Sequence, residues 1–254
     1  MKIQRWAWVG AGIGGLGAML AFAPASWLAG QVAAATNQHL LMSDARGSVW
    51  QGSAVLVLAG GAGSRDAAAL PGRLHWTLRP QGLGLLLRAR QDCCINGELE
   101  MKLKPGWHTL DVQMADKPDW QARWPAGWLS GLGTPWNTLQ LEGGVRLQTR
   151  DLHLRWAAQS WSQEGELSLD LLGLSSRVST LAPLGNYRIS LRAGALQLST
   201  QEGALQLQGQ GVIGAQGASF RGEASAAPGR EAALDNLLNI IGQRQGARSI
   251  ISIG

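Results

Sequence analysis

Apolar and polar side chains alternate with a period of two residues through most of this chain, and that alternation constrains its fold more than any other feature. In Leu74-His75-Trp76-Thr77-Leu78-Arg79, the residues Leu74, Trp76 and Leu78 fall on one face. Leu99–Lys104, Val145–Thr149, Leu152–Trp156, Leu167–Leu171 and Tyr187–Leu191 repeat the pattern. Shorter copies follow at Leu196–Leu198, Leu205–Leu207 and Ala218–Gly222. Successive side chains of a strand point to opposite faces, so these segments predict strands with one dry and one wet face, the antiparallel habit. Turn signals separate them at Asn96-Gly97, Pro105-Gly106, Gly143-Gly144 and Gln201-Glu202-Gly203. The expected fold class is mainly β: an antiparallel curved sheet, sandwich or open barrel. One stretch breaks the rhythm. Glu231–Gln243 places Leu234, Leu237, Leu238 and Ile241 at helical spacing after Pro228-Gly229, predicting a short C-terminal helix over one end or edge of the sheet. Ser249–Gly254 then reads as a closing strand.

Before the strands, no Asp, Glu, Lys or Arg occurs from Trp6 to Ser43. About 20 mostly apolar residues suffice to cross ~30 Å of hydrocarbon as a helix, and Trp6–Leu28 meets that length. Trp6, Trp8 and Trp27 lie near its ends, where indoles favour headgroups, and Lys2 and Arg5 hold the N-terminal side in the cytoplasm. A cleavable signal peptide is the rival reading, with Ala33-Ala34-Ala35 as its A-x-A site, but the apolar run exceeds the usual ~7–15 residues. An uncleaved anchor is expected. The expected organisation is a cytoplasmic tail (1–5), a transmembrane helix (6–28), a membrane-proximal connector (29–46) and a β-rich domain (47–254) across the membrane.

Gly10-Ala11-Gly12-Ile13-Gly14-Gly15 matches the dinucleotide fingerprint G-x-G-x-x-G, yet that motif needs a preceding strand and an acidic residue about 20 positions on. The first acid is Asp44, so the context fails. The same glycines suit a membrane helix: Gly10, Gly14 and Ala18 recur every four residues and form a small-residue face that a partner helix approaches closely.

Catalytic chemistry finds no foothold. The four histidines (His39, His75, His108 and His153) are scattered, and H-E-x-x-H, clustered Cys/His and G-x-S-x-G patterns are missing. Glu98 and Glu100 share a strand face beside Lys102 and read as a solvated surface. No catalytic residue, cofactor or metal ligand is expected. Without Lys2 and Arg5, 20 basic residues face 17 acidic ones with no block of either sign, which does not suit nucleic-acid binding. Four of the twelve tryptophans (Trp120, Trp124, Trp128 and Trp136) crowd one Pro-containing stretch, either as core filling or as an exposed platform. Cys93 and Cys94 are adjacent and have no other cysteine to pair with. A vicinal disulfide, two free thiols and an intermolecular bridge all stay open, because neighbouring Cα atoms lie ~3.8 Å apart, closer than in most disulfides.

The segment Gly47-Ser48-Val49-Trp50-Gln51-Gly52-Ser53-Ala54 is similar to the G-x-x-W-x-G-x-A pattern that comes after the anchor in the N-protein family of the bacterial type II (general) secretion pathway. Leu74–Pro80 resembles that family's L-x-W-x-L-x-P strand. Leu132–Gly143, Pro183–Tyr187, Leu196–Gly211, Phe220-Arg221-Gly222 and Leu237–Ser249 continue the likeness over nearly the whole chain. The resemblance marks Gly47, Trp50 and Gly52 as family-motif residues. It implies a single-pass subunit of the bacterial inner membrane with its C-terminal domain in the periplasm. Such a subunit acts in assembly or interaction during export across the outer membrane. Implied partners are other inner-membrane subunits of the secretion system and, further out, the secretin. The same opening also looks like envelope proteins of the AsmA type, so an open apolar β groove that handles lipid is the alternative expectation.

Overall fold

The computed structural model describes residues 14, 15, 18, 21–157, 160–214 and 217–253. The expected tail 1–5 and most of the expected span Trp6–Leu28 lie outside them. Gly14, Gly15, Ala18 and Ala21 are helical, and the Phe22 amide donates to the Ala18 carbonyl at 3.0 Å. The helix then stops. Proline lacks an amide donor and disfavours helical geometry at the residue before it, so Pro24 (φ −70°, ψ 152°) instead caps a second helix, α1 (Ala25–Ala35). The expected span therefore does not continue to Leu28 as one helix. Among the described residues, no helix is long and apolar enough to cross a membrane.

The first half of the sheet comprises β1 (Leu40–Gly47), β2 (Gln51–Ala59), β3 (Ala67–Ala69), β4 (Leu74–Gln81), β5 (Gly84–Arg90), β6 (Glu98–Pro105), β7 (Thr109–Met114) and β8 (Ala122–Pro125). A 3-10 helix (Ala126–Leu132) and a single turn of helix, α2 (Trp136–Leu139), come after β8. Next are β9 (Leu141–Ala157), β10 (Ser160–Ser176), β11 (Gly185–Arg192), β12 (Ala195–Gly203), β13 (Leu205–Gly214) and β14 (Gly217–Ala226). Helix α3 (Glu231–Ile241), β15 (Gln243–Gln245) and β16 (Arg248–Ile253) close the chain. All strands join one antiparallel sheet ordered β1-β2-β4-β5-β6-β7-β9-β10-β11-β12-β13-β14-β16-β15, with β3 on β2 and β8 on β9. Among the described residues β1 and β15 do not pair with each other, so the sheet is open, neither a sandwich nor a closed barrel.

Two boundaries differ from expectation. The sheet begins at Leu40, inside the expected connector 29–46. Alternation there is cut short by a bulge, where the register shifts between Ser43 and Arg46 and Asp44 takes φ 48°. The segments Val145–Thr149 and Leu152–Trp156 are not two strands but halves of β9, joined through a second bulge at Asp151 (φ 47°) opposite Gly165 (φ 77°).

Cross-strand partners share a face, and the apolar residues line up. Leu78, Leu87, Met101 and Met114 stand side by side across β4–β7. Leu147, Leu169, Ile189 and Leu198 do so across β9–β12. One end of this face is covered: Leu234, Leu237 and Leu238 of α3 are fully buried against Leu184, Tyr187, Leu205 and Ala224, with Ala126 and Leu139 in the same core. A smaller core of Ala25, Ala54 and Trp76 docks α1. Between them Leu85, Leu103, Val112 and Leu154 are only half-buried and belong to neither core.

Helix α3 thus holds the covered end shut. Leu237→Ala should lower stability by about 2–5 kcal/mol through lost burial and the cavity left behind. Asn239→Ala, on the exposed side of α3, should change it by less than about 0.5 kcal/mol. Chemical denaturation of the two full-length variants checks the contrast.

Candidate interaction surfaces

Gly47, Trp50 and Gly52 form the junction between α1 and the sheet. Gly47 lies opposite Gly52 at the β1–β2 turn with φ 86°, a left-handed conformation that glycine adopts without a Cβ penalty. Gly52 lies under the Trp76 ring. A Cβ there would strike the indole and come within 2.7 Å of the Arg46 carbonyl oxygen and 2.9 Å of the Ser48 carbonyl oxygen. The Trp76 indole N–H donates to the Val49 carbonyl at 3.0 Å, and the Trp50 carbonyl accepts from the Leu78 amide at 2.7 Å. Val49 in turn donates its amide to the Ala23 carbonyl at 2.9 Å, tying the chain before Pro24 to this turn. Arg73 locks the β1 bulge from the start of β4, with Nη1 2.7 Å from Asp44 Oδ2 and Nη2 donating to the Asp44 carbonyl at 2.6 Å. The motif's residues therefore work as a clamp that fixes where the preceding apolar segment meets the β body.

Of the small-residue face, Gly14 and Ala18 are helical and exposed, and a Cβ at Gly14 would meet nothing within 4 Å. Gly10 lies outside the described residues. Cys93 and Cys94 are joined as a vicinal disulfide with Cα atoms 3.7 Å apart. They sit in the turn after β5, where Arg123 donates its amide to the Cys94 carbonyl at 2.7 Å. Trp124 and Trp128 pack edge to face at 6.0 Å, and the Trp128 indole N–H donates to the Ala68 carbonyl at 2.9 Å. These two rings fill space between β3, β8 and the 3-10 helix; of the four tryptophans Trp136 alone is exposed.

The wet face carries an arrangement that alternation alone does not reveal. Asp170, almost fully buried, accepts from Arg188 Nε at 2.7 Å and Arg146 Nη2 at 2.8 Å. The three residues are direct cross-strand neighbours on β9, β10 and β11. Burial pushes the Asp170 carboxyl up, but the two guanidiniums more than offset it and hold it below the usual carboxylate range. Glu166 lies two rows nearer the turns, 2.9 Å from Arg192 and 3.7 Å from Arg150. Glu100 pairs with Arg88 at 2.8 Å, and His75 and His153 are exposed. Among the described residues no three His, Cys, Asp or Glu side chains converge on a point that could hold a metal.

Gly52→Ala should displace the Trp76 ring, destabilise the fold by about 1–3 kcal/mol, and speed amide exchange across Ala25–Ala35. Because Asp170 has a depressed pKa in the folded state, its contribution is present above the unfolded value of 3.8 and is lost as pH falls through the folded one. Asp170→Asn should cost about 1–2 kcal/mol at neutral pH, the low end for charged hydrogen bonds because both arginines are partly solvated. In thermal melts the wild-type and variant curves should converge only below about pH 4.

No curated protein and no solved structure matches the chain. The protein-family model for the type II secretion system (T2SS), protein N, matches residues 38–251. That match runs from just before β1 into β16 and takes in the Gly47–Gly52 clamp, the whole sheet and α3. The chain therefore belongs to the type II secretion system protein N family and is a component of that export pathway.

Proposed function

We propose that the chain is an inner-membrane-anchored subunit of the type II secretion system whose β domain, in the periplasm, acts by assembly and contact rather than by catalysis. The supporting observation is the order of parts along the chain. A charge-free apolar segment precedes Pro24, the clamp of Gly47, Trp50 and Gly52 grips the chain directly behind it, and the family match extends over residues 38–251. In this reading residues 1–5 are cytoplasmic, the segment from Trp6 to about Pro24 lies in lipid, and α1 with the sheet lies beyond it. Gly10, Gly14 and Ala18 face a helix of another inner-membrane subunit, and the sheet's edges face periplasmic components or the secretin.

Crosslinking from cysteines placed at Gly10 and Gly14 should capture another secretion subunit. Capture of lipid alone, or of nothing, would remove the partner-helix face. For the periplasmic setting, alkylating the non-reduced protein should leave Cys93 and Cys94 unmodified in the mass spectrum, since such a compartment favours disulfides. Two alkylated thiols would contradict it.

A second reading, lipid handling, is favoured by the half-buried aliphatic strip of Leu85, Leu103, Val112 and Leu154. An acyl chain brings no polar groups to such a wall, whereas an extended peptide would leave backbone donors and acceptors unpaired there. A photoreactive residue replacing Leu154 in cells should give a lipid adduct on this reading, and only protein adducts if the strip is an assembly surface.

A further inference from the structure

Six hairpins turn at one end of the sheet, joining β1–β2, β4–β5, β6–β7, β9–β10, β11–β12 and β13–β14. The other end carries α2, the 3-10 helix and α3. Among the described residues, most of the large apolar side chains that are exposed gather at or beside the hairpin end. Leu83 occupies the β4–β5 turn and is wholly exposed, and Trp107 of the β6–β7 turn is 90% exposed. Leu110, Trp156 and Val212 stand within three residues of their turns. Turn tips normally take Gly, Pro, Asn, Asp or Ser; a Leu wholly in solvent, or a Trp whose ring meets that of the neighbouring His108 edge to face, adds little to the fold.

The chain's own apolar segment reaches the same end. Ala23 accepts from Val49 in the β1–β2 turn, and Pro24 pairs with Ser48, so whatever precedes Phe22 departs from here. Phe22 itself is 83% exposed. Charge agrees with this placement: Arg79, Lys102 and Lys104, close behind the β4–β5 and β6–β7 turns, form no ion pair among the described residues. No acidic residue occurs in any of the six turns.

We infer that this rim docks on a lipid surface, with Leu83, Trp107 and Val212 at headgroup level and Arg79, Lys102 and Lys104 facing anionic headgroups. Aromatic side chains partition to that layer, and cations beside it gain from its negative potential. The half-buried aliphatic strip then opens towards the membrane, while the end closed by α3 points away. This inference rests on the reading that the segment before Pro24 is embedded in lipid.

The test uses the full chain in vesicles of phosphatidylethanolamine and phosphatidylglycerol. A photoreactive benzoyl-phenylalanine replaces Leu83, Trp107 or Val212, with Trp136 at the opposite end as the control position. Flotation reports the anchor; lipid adducts found by mass spectrometry report the rim. Floating protein with adducts at 83, 107 and 212 but not at 136 is expected. Lys104→Gln should lower the yield at 107 by up to about fivefold, the factor one cation beside an anionic surface contributes. Floating protein whose rim positions are as silent as 136, or crosslink only to protein, overturns the docking and leaves the anchor standing. Protein that stays at the bottom of the gradient overturns both.

Discussion

A β strand satisfies its backbone only sideways, through its neighbours, and this protein is one extended answer to that requirement. Between the two edges and apart from the bulges, the strand amides and carbonyls are directed at adjacent strands, which leaves the two faces to side chains alone. Because alternate residues point to opposite faces, a single choice of register makes one face apolar over the whole path. Everything else manages that face. Helix α3, α2 and the 3-10 helix cover one end of it, α1 packs on Trp76 near the first edge, and the middle stays half-open.

The edges need separate handling, since an unpaired edge invites further strands. At the β1 edge, α1 lies alongside and the Asp44 bulge breaks the pairing pattern. The opposite edge ends in β15, a three-residue strand of Gln243, Arg244 and Gln245 that pairs with only part of β16. A short, polar, charged last strand is a poor template for continuation. Asp170 with Arg146 and Arg188 serves the interior of the path instead, tying β9, β10 and β11 together on the wet face.

Most of the strands were legible because their alternation is strict, and α3 because its stripe of Leu234, Leu237 and Leu238 has helical spacing. Alternation did not reveal β2 and β5, where Ala54–Leu58 and Leu85–Leu87 run apolar without alternating, nor the short β3, β7, β8 and β15. The other failures came where a local backbone event interrupted the period. Asp44 hides β1, Asp151 splits β9 into two apparent strands, and Pro24 cuts short what composition alone reads as one helix to Leu28. The Gly47–Gly52 motif was visible as a pattern, but its role as a clamp on Trp76 was not, because the contact crosses from one strand pair to the next. The triad around Asp170 was hidden for the same reason: Arg146, Asp170 and Arg188 are far apart in sequence and meet only through register. The rim residues Leu83, Trp107 and Val212 carry no periodic signal at all. Single apolar residues at turns mean nothing until the turns are known to share one end.

The order of strands along the sheet is almost their order along the chain. Apart from the short β3 and β8, and the exchange of β15 with β16, each strand finds its partner immediately before or after it. A β body that leaves a narrow pore in N-to-C order would add one hairpin at a time to a growing edge, with little loop-closure entropy to overcome at each step. Such a body needs no distant segment to arrive before its earlier parts are ordered. The lid of Leu234, Leu237 and Leu238 would emerge late, and only β15 and β16 would follow it to complete the wall it covers.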